Sequence, residues 1–177
     1  GYSLIYNTLN NSIRPSRGQR AVLSQDFAGL GGSEKYLRSR FDYDIYNRLF
    51  NSNFILRIGA EAGYILGLGQ DVRLNNRFFL GAPRFRGFEI RGVGPRDINS
   101  NRLDSIGGNA YYLGGAELEI PLGDAARELG VRASAFIDAG SLWSLDLDPT
   151  LDGANPDDIR GNTPSPRLTA GIGVGWN

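Results

Sequence analysis

Residues 54–65 read FILRIGAEAGYI, and their alternation decides the fold class. Phe54, Leu56, Ile58, Ala60, Ala62 and Tyr64 fall on one face of an extended chain, with Arg57, Gly59, Glu61 and Gly63 on the other. Such a period of two marks a β-strand whose two faces meet different surroundings.

The same period recurs on both sides. Upstream, residues 1–10 place Tyr2, Leu4 and Tyr6 opposite Ser3 and Asn7. Residues 20–28 set Ala21, Leu23 and Phe27 against Arg20, Ser24 and Asp26. Residues 36–46 set Leu37, Phe41, Tyr43 and Ile45 against Arg38, Arg40, Asp42 and Asp44. Downstream, residues 109–120 oppose Ala110, Tyr112, Ala116, Leu118 and Ile120 to Asn109, Gly115, Glu117 and Glu119. Residues 131–140 oppose Val131, Ala133, Ala135 and Ile137 to Arg132, Ser134 and Asp138. Residues 167–176 oppose Leu168, Ala170, Ile172, Val174 and Trp176 to Arg167, Thr169 and three glycines. Each segment has roughly the nine to twelve residues that cross a bilayer as a tilted strand.

Strict alternation fits a soluble sandwich, with its apolar face on a core, or a transmembrane barrel, with its apolar face on lipid. Three features favour an all-β, transmembrane antiparallel barrel. Aromatics stand near segment ends (Tyr2, Tyr46, Phe54, Tyr64, Trp176), where interfacial girdles belong. The polar faces mix Arg with Asp and Glu, as a lumen wall does. Short connections (47–53, 121–130) alternate with long ones (66–108, 141–166), as periplasmic turns alternate with extracellular loops; residues 10–19 and 29–34 follow this less well. Seven strands do not close a barrel of the usual even number, so the chain is expected to be part of one.

Composition narrows the chemistry. The 177 residues include no Cys and no His, which excludes disulfides, thiolate zinc sites and histidine-based nucleophilic catalysis. Of the basic residues all but Lys35 are arginine, the side chain of fixed bidentate contacts. The net charge is zero and no basic block occurs, so nucleic acid is not an expected partner. No run is long enough for a membrane-spanning helix. Residue 1 starts directly in a strand pattern with no leader-like segment, as expected of an internal piece of a longer chain.

The connection 66–108 is far longer than the usual ~4 to 6 residues, which points to a functional loop. It contains Phe85-Arg86-Gly87-Phe88, followed by Val93-Gly94-Pro95-Arg96. Further on come Ser105-Ile106-Gly107-Gly108-Asn109-Ala110, then Glu117-Leu118-Glu119-Ile120-Pro121. After these come Phe136-Ile137-Asp138-Ala139-Gly140 with Trp143, and Arg167-Leu168-Thr169-Ala170-Gly171-Ile172. In this order the motifs resemble the BamA family of outer-membrane barrel-assembly factors: the RGF motif of the sixth extracellular loop, the strand after it, and the F-x-D-x-G strand.

The resemblance implies strands eight to fourteen of a sixteen-stranded barrel. POTRA domains, the first seven strands and the last two would lie outside the chain. It implies a place in the bacterial outer membrane and a non-enzymatic role in folding and inserting β-barrel proteins, without cofactor. The implied partners are the lipid bilayer, nascent outer-membrane β-barrel proteins and accessory assembly lipoproteins. Two alternatives stay open. One is a related two-partner secretion pore, distinguished by two rather than five POTRA repeats in the flanking sequence; the other is a passive porin, distinguished by steady conductance.

Loop arginines 73, 77, 84, 86, 91, 96 and 102 outnumber its acids, and the strands offer counter-charges at Glu117, Glu119 and Asp138. The loop is therefore expected to fold into the lumen, with Arg86 paired to Asp138 and Glu119. Gly87 would allow close approach to the wall, and Phe85 and Phe88 would wedge the tip. With Gly140 of the F-x-D-x-G strand, these residues make the expected latch. Glu117 and Glu119 also admit a glycosidase-like acid pair, which a lumen wall explains better. The acidic run from Asp146 to Asp158 loosely suggests Ca²⁺ but lacks EF-hand spacing. Gly29–Lys35 lacks the spacing of a phosphate-binding loop.

Overall fold

The structure, a computed structural model, describes residues 1–29, 31, 34–49, 53–99, 103–123, 129–145 and 156–176. Among them the chain forms nine strands and two single-turn 3₁₀ helices, with no α-helix. The strands are β1 (Tyr2–Asn7), β2 (Gly18–Ala28), β3 (Tyr36–Leu49), β4 (Phe54–Gly67), β5 (Arg96–Asp97), β6 (Ala110–Ile120), β7 (Val131–Trp143), β8 (Ile159–Arg160) and β9 (Arg167–Trp176).

The seven long strands correspond to the seven alternating segments. They make one antiparallel meander in the order β1-β2-β3-β4-β6-β7-β9, the wall of a partial barrel. The two-residue strands β5 and β8 pair with each other and join the two long connections. This second sheet was not expected, because two residues are too few to show a period.

Pairing register carries one face of each segment onto the same side of the wall. Arg40 lies opposite Gly63, Asp42 opposite Glu61, Arg57 opposite Glu117 and Gly115 opposite Asp138. The other side is bare and apolar: Ile172 is 88% exposed, Val174 77% and Leu168 68%. A soluble protein would bury such a surface, whereas in a bilayer it is the side that meets lipid. Several polar side chains on this outer side are partnered within the wall, which lowers their cost in hydrocarbon. Tyr43 donates to Gln19 (2.7 Å), Gln25 donates to Ser39 (3.0 Å), and Tyr2 donates to Gln25.

Register also corrects one expectation. Tyr46 lies opposite Arg57 on the inner side and so takes no part in an outer aromatic girdle. Within β3 the outward positions are the odd ones, and Tyr43 and Ile45 occupy them.

The hydrophobic core lies on the inner side. Ile65 of β4, Tyr111 and Leu113 of β6 and Leu142 of β7 pack with Val72, Phe78, Leu80, Phe85 and Val93 of the long connection. The loop is folded against the wall and supplies five of these nine core residues. The bridges Phe78–Gly108 and Leu80–Val93 fix its course.

The connection between β1 and β2 is organised by one side chain. Asn10 accepts from the backbone N–H of Ser16 and Arg17 and donates to the Ser16 hydroxyl, each at 3.0 Å. Of the acidic run, residues 146–155 lie outside the described residues, as do Leu30, Gly32 and Ser33 of Gly29–Lys35, Arg102 of the long loop and residues 124–128 of the β6–β7 turn. Among the described residues no group of three or more metal-ligating side chains occurs.

Candidate functional site

The tip of the long loop is a compact excursion between Leu80 and Val93, which pair with each other at its base. Phe85 N–H donates to the Gly81 carbonyl (2.9 Å), and the N–H groups of Ala82 and Gly92 donate to that of Glu89 (3.2 and 2.9 Å). Phe85 is fully buried, and Phe88 packs beside it with ring centroids 4.4 Å apart. Burial of an aromatic pair anchors the tip by removing a large apolar area from water.

With the rings fixed, Arg86 between them points at the wall. Its Nε donates to Asp138 Oδ2 (2.8 Å) and its Nη2 to Asp138 Oδ1 (2.9 Å), a bidentate fork. Its Nη1 donates to Glu117 Oε2 at 2.9 Å. The guanidinium also lies 3.7 Å from the centre of the Phe136 ring, within cation–π range. Hydrogen bonding to Asp138 raises the Arg86 pKa; burial opposes this and the charge of Glu117 reinforces it. Asp138 is only 5% exposed, so its charge depends on the arginine for compensation.

Glycines make room for this arrangement. A Cβ on Gly115 would stand 2.3 Å from Asp138 Oδ1, and one on Gly171 would stand 2.8 Å from the Phe136 ring. At the tip, Gly87 has φ of 84°, and a Cβ there would meet the Thr169 hydroxyl of β9 at 2.4 Å. On Gly140 a Cβ would press on the Tyr112 carbonyl of β6 at 2.7 Å, so glycine there permits the close β6–β7 approach.

Of the residues expected to form the latch, Phe85, Arg86, Gly87, Phe88 and Asp138 meet in one place, and Gly140 lies two residues along β7 from Asp138. Glu119 does not join them and is corrected here: it accepts from Arg132 at 3.2 Å, while Glu117 takes the place expected for it. Both glutamates share the inner face, but Glu119 lies one strand repeat, about 7 Å, further from the loop tip. Glu117 is the diagonal neighbour of Asp138 across the β6–β7 pair, because Gly115 stands directly opposite Asp138. Each glutamate thus faces an arginine, the pattern of a charge-matched wall.

Sequence reasoning missed two contacts. Phe136, the first residue of the F-x-D-x-G motif, stacks under the guanidinium, and Thr169, which pairs with Asp138 in the β7–β9 ladder, receives Gly87. Their place on the same inner face was the available signal.

The model of the Omp85 superfamily domain matches residues 1–177. The chain belongs to the Omp85 superfamily. An outer membrane protein assembly factor BamA from Neorickettsia risticii is 38% identical over 147 residues, which is 82% of this chain and 19% of that protein. A sorting and assembly machinery component 50 homolog from Bos taurus is 30% identical over 151 residues, 81% of this chain and 31% of that protein. The crystal structure of BamA from Haemophilus ducreyi lacking POTRA domains 1–3 superimposes with a TM-score of 0.81 at 25% identity, covering 98% of this chain and 35% of that one. The chain spans about a fifth to a third of the relatives it matches in sequence. As an Omp85 barrel wall, it is an outer-membrane protein.

Proposed function

We propose that this chain is part of an insertase of the bacterial outer membrane, which helps nascent β-barrel proteins fold and insert without catalysing a covalent reaction. Its share of that work is mechanical. The strands form the stable wall, corresponding to strands eight to fourteen of a sixteen-stranded barrel. The long loop, drawn inward, braces that wall from inside. Client β-barrel proteins and accessory assembly lipoproteins are partners of the whole molecule, as is the surrounding bilayer.

The observation that carries this reading is the three-bond seat of Arg86 on Asp138 and Glu117, in a chain matched by the Omp85 model throughout. The loop is held to the wall by charge and by a buried aromatic. We assign the latch role to Phe85, Arg86, Gly87, Phe88 and Asp138, with Glu117 in place of Glu119, and Gly140 supports it by permitting the close β6–β7 approach.

Reconstitution tests the proposal. The intact protein that carries this chain, placed in liposomes, is expected to speed the insertion of a urea-unfolded β-barrel client, and Arg86→Ala to remove that effect. Steady ohmic conductance in planar bilayers with no effect on client insertion would contradict it and favour a porin. Unidirectional passage of a polypeptide would favour a secretion pore.

A further inference from the structure

The loop tip carries a second arginine, Arg84, two residues before the one seated on Asp138. It donates to Glu61 of β4 and, at 3.1 Å, to the Tyr111 hydroxyl of β6, with its guanidinium 5.1 Å from the centre of the Tyr111 ring. Tyr111 is itself buried and packs edge-on against Phe78 of the same loop, centroids 4.7 Å apart.

What makes this contact more than another ion pair is the wall beneath it. Asp42 of β3 and Glu61 of β4 are direct cross-strand partners on the inner side. Like charges directly opposite one another destabilise a sheet. Arg20 and Arg40 lie on the same side of the wall, at other levels of the β2–β3–β4 ladder. Arg40 is turned toward Phe78, 5.6 Å from its ring centre. Arg40 and Arg20 act on Asp42 only through space, as Arg84 does, whereas Glu61 takes its hydrogen-bonded cation from the loop. By contrast, Asp44, the next inner acid of β3, is answered within the wall by Arg57 at 2.7 Å.

We propose that Arg84 is a second positioning residue, which neutralises Glu61 where it stands opposite Asp42 and makes loop insertion a condition for a stable β3–β4 wall. The proposal rests on the reading of the loop as an internal latch. It extends that latch across four strands: Arg84 on β4 and β6, Arg86 on β6 and β7, and Gly87 on β9. One short segment thereby crosses the wall transversely and ties strands that the meander joins only pairwise.

Charge exchange tests it in the intact protein, with trypsin cleavage after Arg91 in lipid nanodiscs as the readout of loop release. Arg91 is exposed and remains a cleavage site in every variant. Arg84→Glu is expected to speed cleavage on the order of tenfold, as loss of a charge-assisted contact implies. Adding Glu61→Arg to Arg84→Glu is expected to restore protection, which a merely steric role for Arg84 would not do. Heat-modifiable migration of each variant shows whether the barrel has folded. If Arg84→Glu does not fold, the conservative Arg84→Gln replaces it, with Glu61→Gln as its compensating partner.

Arg86→Ala runs in parallel. Release by Arg86→Ala without release by the Arg84 variant would overturn the second anchor alone. Protection unchanged in both would overturn the latch itself. An exchanged pair no better protected than Arg84→Glu would also refute the proposal.

Discussion

Asp138 shows how one residue constrains many. A carboxylate 5% exposed needs its charge met, and Arg86 meets it with two parallel N–H donors. Replacing Arg86 by Ala strands that charge and is expected to cost about 3 kcal/mol of barrel stability, read from urea unfolding in lipid vesicles. Arg86→Lys keeps the charge but loses the fork and the flat face on Phe136, so it is expected to recover only part of the loss. Gly115→Ala makes a sharper test, because it adds one carbon 2.3 Å from Asp138 Oδ1 and changes no charge. It is expected to loosen the loop almost as much as Arg86→Ala, seen as faster proteolysis; unchanged protection would mean that Asp138 is not held where the fork requires.

At this scale the sequence was readable in residue type and only partly in pairing. Arg86 and Asp138 stood out as an arginine in a long loop and an acid on a polar strand face. Glu117 and Glu119 were indistinguishable, since alternation places both on the inner side. What separates them is the β6–β7 register, Gly115 opposite Asp138, which no period within one strand encodes.

Among elements, the long strands were legible because each repeats its two-residue pattern several times. Strands β5 and β8 were not, for they consist of two residues each and exist through the meeting of two loops. Ile98 N–H donates to the Asp158 carbonyl beside them at 2.9 Å. The same holds for the β1–β2 turn, where the expected strand 1–10 ends at Asn7 and the Asn10 side chain organises the connection. Asn10→Ala removes three hydrogen bonds, two of them to backbone N–H groups. It is expected to cost about 1–2 kcal/mol, measured by the shift in the urea midpoint, while leaving loop protection unchanged.

For the whole molecule, the two faces of the wall make opposite demands. The outer side should reject charge and the inner side accept it. Ile137, midway along β7 and 53% exposed, is expected to lose about 2–4 kcal/mol on replacement by Arg, measured by unfolding in lipid vesicles. Ser134, on the inner side opposite Glu119, should accept Arg at little cost. Equal penalties at both positions would refute the assignment of faces. That assignment was legible from residues 54–65 onward, whereas the inward course of the loop followed only from counting its arginines against the acids of the wall.

The account rests on the loop being held against the inner wall by Arg86 and Asp138, and amide hydrogen exchange of the intact protein in lipid measures that most directly. Phe85 and Val93 N–H groups, bonded to the carbonyls of Gly81 and Leu80, should be protected in the wild type. In Asp138→Asn they should exchange faster by on the order of tenfold or more. Exchange at free-loop rates in the wild type, or no difference between the two proteins, would contradict the account.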